Sequence, residues 1–115
     1  SGMAAVHAMC MAYLKAGDHV ICSRAVFGSI IALFEKYVAK FAVEVTFVDL
    51  DDLEGWKQAI RPNTRLLFIE TPSNPLAQVQ WITVSVHLCY SSRLSLVPIW
   101  FFIQQLNILM ARDGL

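Results

Sequence analysis

Three short runs decide what this chain can fold into: His19-Val20-Ile21-Cys22, the stretch from Val43 to Val48, and Leu66-Leu67-Phe68-Ile69. The first and third read as buried strands and Val43 to Val48 as strand-like, with β-branched residues dominating; strands apolar on both faces belong to a sheet covered on both sides. The segments between them read as helices. Ala4 to Lys15 is a run of good helix formers, headed by Ser1-Gly2-Met3 and stopped by Gly17. Apolar side chains circle this helix, so it is expected to be buried on most sides, and His7 to be packed within it. Ser29 to Lys40 places Ile30, Leu33, Phe34, Tyr37 and Val38 on one face. Asp51 to Ile60 opens with acids, which suits the positive end of a helix dipole. Helices alternating with doubly buried strands predict an α/β fold, a mostly parallel sheet with helices on both faces.

Charge narrows the function classes. Lys plus Arg is 9 and Asp plus Glu is 9, so the net charge is zero. A nucleic-acid partner needs a basic excess, and none is present. With 57% apolar residues the chain is not intrinsically disordered. Cys10, Cys22 and Cys89 are odd in number and lack metal-ligand spacing, so neither a disulfide scaffold nor a metal site is expected. Unpaired thiols fit a cytoplasmic setting. The composition changes near residue 71: between Thr71 and Ala111 the sole Asp, Glu, Lys or Arg is Arg93. The apolar run Leu96 to Ile103 contains Pro98 and is followed by Gln104, Gln105 and Asn107, too short for a membrane span.

In sheets of this kind, chemistry collects at the carboxyl ends of strands and the amino ends of helices. Three places qualify. Ser1-Gly2-Met3 heads a helix, where exposed N–H groups and the dipole favour a phosphate, with Gly2 allowing close approach. Ser-Gly is equally a plain capping sequence. Phe27-Gly28-Ser29 lies in the loop leaving the first strand, where an aromatic can stack on a flat ring. It can also be a core Phe beside a turn glycine. In Glu70-Thr71-Pro72-Ser73-Asn74-Pro75 two prolines stiffen the loop after a buried strand, and Asn74 offers both a donor and acceptors. The plain alternative is a structural turn.

Taken in order, Ser1-Gly2-Met3-Ala4-Ala5, Asp18-His19-Val20, Phe27-Gly28-Ser29 and Ile69-Glu70-Thr71-Pro72-Ser73-Asn74-Pro75 resemble the cystathionine γ-synthase-like enzymes of cysteine and methionine metabolism, which depend on pyridoxal phosphate. Cys22 to Ser29 is most similar to the O-succinylhomoserine sulfhydrylase branch. The resemblance covers residues 1 to about 79 and implies part of the large domain of a fold-type I pyridoxal-phosphate enzyme. It implies that the amides of Gly2 and Met3 hold the cofactor phosphate, with Ser1 in support. Phe27 would stack on the pyridine ring, Asn74 would bond the ring hydroxyl oxygen, and Glu70 would support its loop. Most relatives carry Tyr at position 27. Phe keeps the stacking face and loses a hydroxyl that could move a proton, which favours the sulfhydrylases over the lyases. The implied reaction makes homocysteine from O-succinylhomoserine and sulfide. Full-length relatives are implied to be homotetramers acting on small amino acids.

The resemblance also sets a limit. The family continues with an Asp that meets the ring nitrogen and a Schiff-base lysine in a Ser-x-x-Lys context. Here the lysines are Lys15, Lys36, Lys40 and Lys57, all before Asn74, and Asp113 is the sole acid after Glu70. No catalytic residue is therefore assigned. The division expected is 1–79 as cofactor-binding fragment and 80–115 as a tail outside the family, the product of a shifted reading frame, a missed splice or a damaged gene.

Overall fold

A computed structural model describes Gly2–Glu70, together with the backbone of Ser95–Phe101 and Leu106–Arg112. The elements run α1 (Gly2–Tyr13), β1 (His19–Ser23), α2 (Gly28–Ala32), β2 (Glu44–Val48), α3 (Leu53–Ala59), β3 (Thr64–Glu70), β4 (Ser95–Phe101) and β5 (Leu106–Arg112). The sheet order is β2-β1-β3-β5-β4. β1 pairs in parallel with β2 and with β3, as the apolar runs predict. β5 runs antiparallel to β3, and β4 antiparallel to β5, so the sheet is mixed. Pro98 sits in β4, an edge strand, where its missing N–H need not interrupt a ladder.

β1 is buried along its whole length. Its side chains alternate between two cores. Val20 and Cys22, with Leu66 and Phe68, face α1 and the α2 segment, meeting Val6, Met9, Cys10, Ile30, Leu33 and Phe34. Ile21, with Leu67 and Ile69, faces Trp56 of α3 and Leu50. The chain moves from β1 to β2 in one direction and from β2 past β1 to β3 in the other. Crossovers share one hand, so a reversal of direction puts the two connecting helices on opposite faces. Phe34 and Phe68 meet edge to face, 5.5 Å between centroids. The Trp56 indole N–H donates to the Asp49 carbonyl at 2.9 Å, and Asp52 caps α3 by accepting from Gly55 N at 2.9 Å.

Two expectations about helices change. The first helix buries one face, not most of its surface: Val6, Met9 and Cys10 are inside, while His7 is exposed, as are Met11 and Tyr13. A single sheet lies against this helix among the described residues, so one stripe suffices. The second helix is continuous from Gly28 to Phe41, but its middle turn, Leu33–Tyr37, is a π turn and its last, Val38–Phe41, is 3₁₀. Val38 N–H reaches back to the Leu33 carbonyl, five residues earlier. That wider turn keeps Val38 on the buried face and rotates Tyr37 out, to 56% exposure.

The amino edge of the sheet is fastened by polar contacts. His19 is fully buried in β1. Its Nδ1 lies 2.7 Å from Thr64 Oγ1 and its Nε2 2.8 Å from Thr46 Oγ1, so one ring ties three parallel strands together. Buried Asp18 accepts from Lys15 N at 2.9 Å and faces Arg65 Nε at 3.5 Å. Gly17 takes φ +90°, a left-handed conformation, and its N–H donates to the Ala42 carbonyl at 2.8 Å. No described helix is long and apolar enough to cross a membrane, and the described residues hold no cluster suited to a metal ion.

Two measurements follow from this packing. Phe34→Ala removes a fully buried ring and is expected to lower unfolding free energy by about 3–5 kcal/mol in urea titrations; Gly17→Ala is expected to cost about 1–2 kcal/mol through its positive φ. If Gly17→Ala costs more than Phe34→Ala, the core is not where the stability lies. Burial, then the nearby Arg61 charge, holds the His19 imidazole below its ordinary range, with Glu44 acting the other way. The folded state therefore favours the neutral ring. Its contribution is complete above the unfolded value of about 6.5 and declines as pH falls from there toward the folded value. The urea midpoint is expected to drop below about pH 6.5, and His19→Gln to flatten that slope. A midpoint that rises on acidification would contradict this account.

Candidate functional site

Each parallel strand ends at the same edge, so Ser23, Val48 and Glu70 lie along one rim. β1 is the turning point of the strand order, since the chain leaves it toward β2 and returns past it to β3. In open α/β sheets the crevice at such a reversal, at the carboxyl ends, is where ligands bind.

The turn leaving β1 crosses that crevice. Arg24 N donates to the Val48 carbonyl at 2.9 Å and Ala25 N to Ser23 Oγ at 3.0 Å. Val26 is buried and pins the turn to the core. Phe27 N–H then donates to Glu70 Oε2 at 2.7 Å, joining residues 43 apart in sequence. The Phe27 carbonyl accepts from Ile30 N at 2.8 Å and starts α2. Both backbone groups of Phe27 are thus engaged, while the residue stays 46% exposed. An aromatic ring held at the mouth of a crevice is shaped for a flat partner.

The head of α1 belongs to the same rim by topology. The tail of α1 passes through Gly17 to the amino end of β1, so its head, Gly2 and Met3, points toward the carboxyl edge. The helix runs for twelve residues and has no acid in its first turn. A Cβ built on Gly2 meets nothing within 4 Å, so the backbone there is open to an incoming group. Met3 packs partly against the core beneath. An amino end without acids, an open glycine and an exposed aromatic together fit a phosphate-bearing flat cofactor.

Of the residues singled out from sequence, Phe27 and Glu70 are brought into direct contact, and Gly2 and Met3 head a helix whose amino end points toward the same edge of the sheet. Ser1 and Asn74 lie outside the described residues. Glu70 is the last residue of β3 rather than the first of a loop. Its bond to Phe27 left no sign in the sequence, because the pairing depends on strand order. Neither described thiol is a nucleophile: burial pushes Cys10 up to about 11, and burial, then Cys10 and Glu70, pushes Cys22 higher still. On the outer rim Arg24 Nε meets Asp49 Oδ1 at 3.4 Å, an exposed pair of little energetic weight.

Comparison with known proteins gives the family. Residues 1–99 match the family described as Cys/Met metabolism PLP-dependent enzyme, a match that runs on past Val79. O-succinylhomoserine sulfhydrylase of Pseudomonas aeruginosa is 45% identical over 91 residues, covering 79% of this chain and 23% of the relative. L-methionine gamma-lyase of Fusobacterium nucleatum is 45% identical over 75 residues, covering 65% of this chain and 19% of the relative. Among solved structures, O-acetylhomoserine sulfhydrylase of Wolinella succinogenes superimposes with a TM-score of 0.73 at 35% identity, covering 81% of this chain and 26% of that one. The chain spans about a quarter or less of the length of the relatives it matches. The mixed α/β sheet, the motif order and these likenesses agree, and the chain belongs to the family of pyridoxal-phosphate-dependent enzymes of cysteine and methionine metabolism.

Proposed function

We propose that this chain is the cofactor-cradling part of a sulfhydrylase that makes homocysteine from O-succinylhomoserine and sulfide. The observation that carries the reading is the exposed Phe27 ring, fixed at the β1–β3 crevice by Glu70. When bound, pyridoxal phosphate supplies an electron sink for the carbon bearing the substrate amine. The amides of Gly2 and Met3 would hold its phosphate at the positive end of α1. Phe27 would cover one ring face and keep water from it. By the family resemblance, Asn74 would bond the ring hydroxyl. Glu70 supports the turn by accepting the Phe27 N–H.

Phe27 also separates the sulfhydrylase reading from the lyase reading. A γ-lyase with tyrosine at this position has a phenol there to move a proton, and phenylalanine offers none. Relatives of both activities match this chain closely, so this residue is what favours the one over the other.

As it stands, this chain is proposed to bind the cofactor without a covalent link and to catalyse nothing. Lys15 lies between α1 and β1, at the amino edge. Lys36 and Lys40 sit in the last turns of the second helix, which lead to the amino end of β2. Lys57 is near the end of α3 and pairs with Glu54 at 2.9 Å. All are turned away from the cradle by the topology. The runner-up reading is a non-catalytic α/β fragment with only weak phosphate binding.

Titrating the purified chain with pyridoxal phosphate separates these readings. Saturable binding is expected, weakened by inorganic phosphate and lost on dialysis, with no borohydride-fixed mass increase at a stoichiometric site. O-succinylhomoserine plus sulfide is expected to give no homocysteine. Cofactor retained through dialysis with sulfide-dependent turnover would overturn the inactive reading, and affinity no better than that for inorganic phosphate would favour the plain fragment.

A further inference from the structure

We infer that Glu70 is a positioning residue that sets the cofactor-stacking ring of Phe27 through its backbone, an assignment that rests on the cofactor-binding reading above.

Phe27 is the residue before α2, with φ −55° and ψ 132°, and no side chain caps that helix. A phenylalanine cannot supply the oxygen that a helix start ordinarily uses. Its orientation must come from elsewhere, and the 2.7 Å bond from its N–H to Glu70 Oε2 provides it. With the carbonyl held by Ile30 N and the N–H held by Glu70, both backbone groups are fastened, leaving the ring its own two torsions. Val26, directly before it, is buried and cannot follow a swing of the turn. The carboxylate comes from the end of β3, the strand beside β1, in a register that pairs Cys22 with Phe68. One charged bond therefore ties the ring to the two strands that flank the crevice. A charge-assisted bond is about twice as strong as a neutral one, which suits a turn whose largest side chain has no apolar pocket among the described residues.

Releasing that bond lets the ring sample other directions, and affinity for a stacked ligand falls by the fraction of time the ring spends in place. The full chain is titrated with pyridoxal phosphate as wild type, Glu70→Ala, Glu70→Gln, Phe27→Ala and the Glu70→Ala/Phe27→Ala double variant. Phe27→Ala is expected to weaken binding by about tenfold. Glu70→Ala is expected to weaken it by about threefold, and Glu70→Gln, whose amide oxygen still accepts, by less. In the Phe27→Ala background the Glu70 change is expected to have no further effect, because the ring through which it acts is gone. Amide hydrogen exchange gives a readout that needs no cofactor: the Phe27 N–H is expected to exchange about tenfold faster in Glu70→Ala, with Ile21 unchanged.

A Glu70→Ala variant that keeps wild-type affinity, or loses affinity equally in the Phe27→Ala background, overturns the positioning role alone. Unfolding of Glu70→Ala, seen as faster exchange at Ile21, is met by Glu70→Gln: if that variant folds and its Phe27 exchange matches neither wild type nor an intermediate rate, the bond does not set the turn and the inference fails. No saturable binding by wild type overturns the cofactor reading and this inference with it.

Discussion

Everything in this fold depends on the burial of one strand. β1 has no exposed residue, so each of its side chains must be answered from one side of the sheet or the other. Val20 and Cys22 call for α1 and α2, and Ile21 for α3. The two polar residues at its ends are answered individually. His19 is held between Thr46 and Thr64, and Ser23 Oγ accepts from the backbone of the following turn. A buried imidazole without those hydroxyls would carry the full cost of lost hydration. Among the described residues no buried side-chain nitrogen or oxygen is left without a partner.

The same strand generates the site. Because β1 lies between β2 and β3, the chain must reverse direction around it, and the reversal opens a crevice at the carboxyl edge. The turn from β1 into α2 spans that crevice and ends on Phe27. Burial of Val26 on one side of the turn and the Glu70 carboxylate on the other hold it there. The head of α1 arrives at the same edge because a helix that precedes a strand and packs along it runs antiparallel to it. The polar fastenings and the candidate site therefore lie at opposite ends of the sheet. The amino edge carries the polar fastenings around His19, Asp18 and Gly17, and the carboxyl edge keeps the exposed ring and the open glycine.

Part of this was legible in the residues. The three runs became β1, β2 and β3 within a residue or two of the limits they imply, but β2, at the sheet edge, is only partly buried and Glu44 is exposed, because no strand covers its outer side. The acids before Leu53 and the glycine after Lys15 and Ala16 marked helix ends by capping and by backbone freedom, both local effects. Phases on the helices were less legible. Tyr37 shares a 3.6-residue face with Phe34 on paper, and one wide turn moves it into solvent. The first helix is apolar around its circumference, a pattern that fixes a capacity for burial without saying how many neighbours will use it. Asn74 and Ser1 were marked by their motifs and lie outside the described residues.

What the sequence by itself determined is the list of parts: three strands, the helices between them, an amino end fit for an anion, and a family whose motifs stand in order. These follow from side-chain polarity and spacing, which act over a few residues. Only the tertiary structure decided that Glu70 meets Phe27, that His19 bridges three strands, and that β5 closes on β3 in the antiparallel sense. Those contacts join residues far apart in the chain, and strand order, which no local pattern encodes, is what brings them together.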